Sequence, residues 1–143
     1  MTTLKVIQTT EVEDYVNQLA DRLEAQYKEY HVNSLTKFTS EWANKQLEDV
    51  KNGTANLMRF VVTKGRKYFK ITSHEYDTFQ DRNEYREGCV HAFVDKNTGQ
   101  VYKPASYNSP AKHVRYDLRI INDRAKLHDS TYTGWAGGYL YIR

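Results

Sequence analysis

From Thr10 to Tyr30 the apolar positions recur at steps of three and four: Val12, Tyr15, Val16, Leu19, Leu23, Tyr27 and Tyr30. That spacing lays them along one face of an α-helix. Thr10, with Glu13 three residues on, makes a capping box and predicts the helix start. A second helix is expected from Asn33 or Ser34, carrying Leu35, Phe38, Trp42, Leu47 and Val50. It should stop at Asn52-Gly53, because glycine accepts the left-handed backbone of a helix end. Two antiparallel helices joined by a short turn follow from this. A seam of Val16, Leu19, Leu23, Phe38 and Trp42 is left to pack, either on a second subunit or in the chain's own core.

At Leu57 the period changes to that of a strand. Leu57 to Thr63 and Lys67 to Thr72 are rich in β-branched and aromatic residues, with Lys64-Gly65 between them as a tight turn. The charged stretch from His74 to Gly88 reads as a loop. Val90 to Asp95 and Gln100 to Lys103 predict a second hairpin, in which Gly99 takes positive φ at the end of the turn. Strict alternation sends Val90, Ala92 and Val94 to the core and His91, Phe93 and Asp95 to the other face. Pro104 and Pro110 bracket an irregular stretch, and Pro110 is placed to open a short helix. Tyr139 to Arg143 reads as a last strand. The fold class is therefore α+β: an N-terminal helical hairpin followed by an antiparallel sheet built from hairpins, with a short C-terminal helix. No repeat or linker divides residues 1–143, so one domain is expected.

Composition sharpens this. The single cysteine, Cys89, has no internal partner, and there is no signal peptide and no apolar run of bilayer length. A reducing cytoplasm is the expected setting. Residues 1–56 carry six Lys/Arg and nine Asp/Glu, a net of −3, against fifteen and nine, a net of +6, in 57–143. An acidic helical front thus precedes a basic β-rich part, which is where an anionic partner would bind. The front is expected to mediate homo-oligomerisation. Twelve tyrosines offer flat faces with polar tips, suited to a core rim or a pocket.

Motifs for catalysis are missing. Cys89 and His91 are two metal-ligating residues without the paired spacing that supplies the others. No Gly-x-Ser-x-Gly elbow, P-loop or Gly-x-Gly-x-x-Gly occurs, and the cluster Gly134-Trp135-Ala136-Gly137-Gly138 precedes a predicted strand rather than a helix. No enzyme, metal or cofactor is expected. What remains is basic and aromatic: His91, Phe93, Lys103, Ser106, Tyr107, Asn108, Lys112 and Arg115. A ring to stack on a base, cations for phosphate and small polar groups for ribose are the parts of a nucleotide pocket. The same residues also fit a solvated basic edge that discourages strand pairing.

The run Gly88-Cys-Val-His-Ala-Phe-Val-Asp-Lys-Asn-Thr-Gly-Gln-Val-Tyr-Lys-Pro-Ala-Ser-Tyr107 resembles a small-protein family widespread in tailed bacteriophages. So do Ser109-Pro-Ala-Lys-His-Val-Arg115, Gly137-Gly-Tyr-Leu-Tyr141 and Lys64-Gly-Arg-Lys-Tyr-Phe-Lys-Ile71. The resemblance covers 57–143 well and the helical front poorly. Taken to include the first-described Thoeris anti-defence protein, that family implies a sponge. Such a protein would sequester cyclic ADP-ribose signals by tight, non-hydrolytic binding as an oligomer. Two further readings stand beside it: a nucleic-acid-binding phage accessory protein, and an inhibitor that contacts a host protein directly.

Overall fold

The computed structural model describes residues 2–129 and 132–141, with side chains from Glu11 onward. Helix α1 (Thr2–Leu35) is continuous through 34 residues, about 50 Å of rise. Thr10 therefore lies inside the helix, and the capping box does not mark its start. The apolar stripe does what its period predicts: Val12, Val16, Leu19 and Leu23 are all buried. The same helix passes through Asn33 and Ser34, so the second helix begins later than expected. Helix α2 (Glu41–Asn52) is capped by Ser40, whose Oγ accepts the Ala43 amide at 3.2 Å. It ends at Gly53 with φ of 76°, as the sequence predicts.

Five strands form an antiparallel meander in sequence order: β1 (Arg59–Lys64), β2 (Tyr68–Asp77), β3 (Glu84–Asp95), β4 (Gln100–Pro104) and β5 (Pro110–Asp117). Most of the stretch expected as a loop, His74 to Gly88, is the outer half of the β2–β3 hairpin, with His74 paired to Glu87 and Asp77 to Glu84. Much of this end of the ladder is exposed, so its strands carry charge and give no apolar signal. Pro110 opens a strand instead of a helix, a position where its missing N–H is tolerated. The short helix comes later, as α3 (Ile121–Leu127). The expected last strand is a 3₁₀ turn, Gly138–Tyr141, that buries the adjacent Tyr139 and Leu140 together. Ile142 and Arg143 lie outside the described residues.

The core forms where α1 crosses one face of the sheet. Phe60, Phe69, Ile71, Ala92 and Val94 meet Val16, Leu19 and Leu23, and Leu118, Leu127 and Leu140 close the far end. Three residues of the expected seam are thus intramolecular core. Phe38 and Trp42 are not, and stand 60% and 63% exposed at the α1–α2 corner.

The β2–β3 and β4–β5 ladders each carry two register shifts, and the first in each places a residue of the candidate site. Ile71 faces Ala92 and Thr72 faces Val90, which leaves His91 as the extra residue in β3. Val101 faces Tyr116 and Tyr102 faces Val114, which leaves Arg115 extra in β5. A bulged residue is turned away from simple alternation. His91 accordingly joins Ala92 on the helix-covered side, against Phe60, and does not share a face with Phe93.

Candidate functional site

Both bulged residues hold the C-terminal turn. His91 Nε2 lies 2.7 Å from the Tyr139 hydroxyl, and Arg115 Nε donates to the Leu140 carbonyl at 2.7 Å. Tyr116 Oη donates to the Tyr139 carbonyl at 2.8 Å and meets Tyr132 Oη at 2.7 Å. Its one proton is spent on the carbonyl, so Tyr132 donates to Tyr116. Burial pushes the Tyr116 and Tyr139 hydroxyls well above their ordinary range, and both stay neutral. Burial pushes the His91 imidazole down to about 4, so it too is neutral near pH 7.

Around this turn the surface opens into two adjoining clefts. The larger, of about 630 Å³, is bounded by Lys103, His113, Arg115 and Lys126 and by the rings of Tyr116, Tyr132 and Tyr141. Asp123 is the one acid in its wall, and its carboxylate accepts the Asp117 amide at 2.9 Å. The smaller, of about 320 Å³, lies over the β3 bulge between His91, Ser73, Glu75 and Trp135. Lys103 and Tyr141 border both, with the Lys103 ammonium 4.4 Å from the centre of the Tyr141 ring. Three cations and an imidazole against a single acid make the larger cleft an anion-attracting hollow with aromatic walls.

The eight residues singled out from sequence do not converge on one point, because the sheet divides them. His91, Lys103 and Arg115 lie on the helix-covered side, at the clefts. Phe93, Tyr107 and Asn108 lie on the other. Phe93 is buried beneath Tyr68 and Lys70, and with Asn108 it lines a groove of about 290 Å³ beside the β1–β2 turn. Tyr107 stacks under the Lys70 ammonium at 3.8 Å and donates to Glu87 at 2.6 Å. Ser106 closes the β4–β5 turn through a 2.8 Å contact with Ser109, and Lys112 is exposed on β5.

Sequence reading missed Tyr116, Lys126, Tyr132 and Tyr141. Lys126 rides on α3, which the pattern placed too early, and Tyr141 was expected in a strand. The basic sign of 57–143 was the available signal. Among the described residues no three His, Cys, Asp or Glu side chains gather as a metal-ligand set, and no helix is long and apolar enough to cross a membrane.

Over residues 2–142 the chain belongs to a family of unknown function, DUF7717. Neither a curated protein nor a solved structure matches it significantly.

Proposed function

We propose that this protein binds a small, phosphate-bearing, ring-containing ligand in the Lys103–Arg115–Lys126 cleft and holds it chemically unchanged. The observation that carries this reading is the convergence of those three cations with the tyrosine rings 116, 132 and 141 around one hollow of about 630 Å³. That volume falls within the range of small-molecule and cofactor pockets, roughly 300–1,000 Å³. The guanidinium and ammonium groups neutralise phosphate, and tyrosine faces stack on a base. Holding a ligand by charge and stacking requires no bond to be made or broken.

The resemblance of residues 57–143 to a tailed-phage family points the reading further, to an anti-defence sponge in the bacterial cytoplasm. In that form the ligand is a cyclic ADP-ribose-type signal and the effect is inhibition of Thoeris immunity. Phe38 and Trp42 are then where a second copy meets the first.

Titration calorimetry against cyclic ADP-ribose isomers, linear ADP-ribose, AMP and a short DNA duplex tests this. A cyclic isomer should bind tightly and be recovered intact after heat denaturation of the protein. Lys126→Ala should weaken binding about tenfold, as expected for one lost charge-assisted contact, without lowering the melting temperature. Silence toward every small nucleotide overturns the reading, and release of an altered product overturns its non-catalytic part.

A further inference from the structure

The face of the sheet away from α1 is uncovered by any helix among the described residues, and it is not the polar face such a surface usually shows. Alternate β2 positions place Tyr68, Lys70, Thr72, His74 and Tyr76 there, paired in turn with Asp95, Phe93, Val90, Glu87 and Tyr85 of β3, with Thr72 and Phe93 buried at the centre of the row. Tyr102 of β4 continues the row beyond Phe93. The rings touch edge to face, Tyr68 at 5.9 Å from Phe93 and 6.0 Å from Tyr102, and Tyr76 at 5.2 Å from Tyr85.

Cations are interleaved with these rings. Lys70 lies 3.8 Å from the Tyr107 ring and 5.8 Å from Phe93, and Lys67 lies 5.4 Å from Tyr68. The acids on this side are already engaged: Glu87 accepts the Tyr107 hydroxyl, and Asp95 accepts the Asn97 and Thr98 amides of its own turn.

We infer that this open face is a second site, separate from the cleft, and that it binds single-stranded nucleic acid. The rings of Tyr68, Tyr102 and Tyr107, with Lys67 and Lys70 against two of them, match a chain of bases strung on phosphates. The width of the sheet argues for one strand rather than two. Five strands at about 4.8 Å spacing give a face about 19 Å across, too wide for the roughly 12 Å major groove of a duplex. A duplex could meet this surface only through its backbone, leaving the rings unused.

The test is fluorescence anisotropy with labelled (dT)12, (rU)12 and a 12-base-pair duplex at 50 and 200 mM salt. A single strand should bind more tightly than the duplex. Its affinity should fall with salt, and the slope should flatten by about one for Lys70→Glu. Tyr107→Ala, which alters an exposed ring, should cost about tenfold at an unchanged melting temperature. Lys126→Ala, in the cleft, should leave strand binding at the wild-type level. The inference is overturned by no single-strand binding at 50 mM salt, by duplex affinity equal to that of the single strand, or by Lys126→Ala weakening binding as much as Lys70→Glu. Nucleotide binding in the cleft is measured separately, so either site can fail alone.

Discussion

His91 and Tyr139 stand 48 residues apart and meet through a 2.7 Å hydrogen bond between Nε2 and the phenol. The β3 bulge turns the imidazole inward, and the 3₁₀ turn brings the phenol to it. Gly137, with φ of 85°, passes 3.6 Å from the imidazole Cε1, measured from where its Cβ would stand. This pair joins the middle of the sheet to the last turn of the chain, and so fixes the walls of both clefts.

Acid should loosen that junction. Burial lowers the His91 pKa to about 4, against an ordinary value of 6.5. Between these values the unfolded chain takes up a proton that the folded chain refuses. The His91 contribution is complete above pH 6.5, is lost as the pH falls toward 4, and changes no further below that. The loss is on the order of 3 kcal/mol. Urea melts at half-unit pH intervals should show it. His128, also lowered chiefly by burial, acts in the same direction, so the comparison needs a variant. His91→Leu combined with Tyr139→Phe, which leaves no orphaned hydroxyl, should flatten the slope. Tyr139→Phe alone strands the imidazole nitrogen and should cost about 1–3 kcal/mol. An unchanged slope in the double variant would refute the assignment to His91.

The helical front should divide sharply in its response to truncation. Leu19 is fully buried between α1 and the sheet, so Leu19→Ala removes core contacts and leaves a cavity, costing about 2–5 kcal/mol. Trp42 is 63% exposed, and Trp42→Ala should stay within about 0.5 kcal/mol in a dilute monomer. Melting temperatures at low and high protein concentration separate the two. A concentration-dependent loss for Trp42→Ala would show that a second copy covers the corner.

Gly99 closes the β3–β4 turn with φ of 76°, and its amide donates to Asp95 at 2.9 Å. A side chain there meets both the left-handed backbone and the Arg119 Cγ at 3.2 Å from the built Cβ. Gly99→Ala should destabilise by about 1–2 kcal/mol, read from the denaturant midpoint at constant m. Gly53, with φ of 76° and open space around it, carries the backbone cost without the contact, so Gly53→Ala should cost less.

What was legible in the sequence followed periodicity and turn chemistry. The α1 stripe, both early hairpins, the Gly53 stop and the Gly99 turn each rest on residues whose local preference agrees with the fold. The errors arose where tertiary context overrode local preference. Ser34 and Ser40 are equally good caps on paper, and the break between the helices chose the second. The bulges at His91 and Arg115 leave no trace in composition, yet they decide which side of the sheet each residue serves. For that reason the residue types of the candidate site were readable and their division between two faces was not.

The exposed edge of the sheet yields the last prediction. β1 is an edge strand, and its Phe60 amide points away from β2 to Glu24 Oε2 of α1 at 2.9 Å. Further along the strand Lys64 pairs with Glu13 at 3.5 Å. An unpaired edge amide is a template for another chain, and a carboxylate placed on it both satisfies the donor and repels a second strand. Glu24→Ala removes a hydrogen bond to a charged group, so it should cost about 1.5–3 kcal/mol. It should also raise self-association, seen as growth in light scattering with concentration. Glu24→Gln keeps an acceptor without the charge and should restore most of the stability but only part of the protection. If Glu24→Ala loses stability yet stays as monodisperse as the wild type, the carboxylate serves packing alone and the edge is guarded by something else.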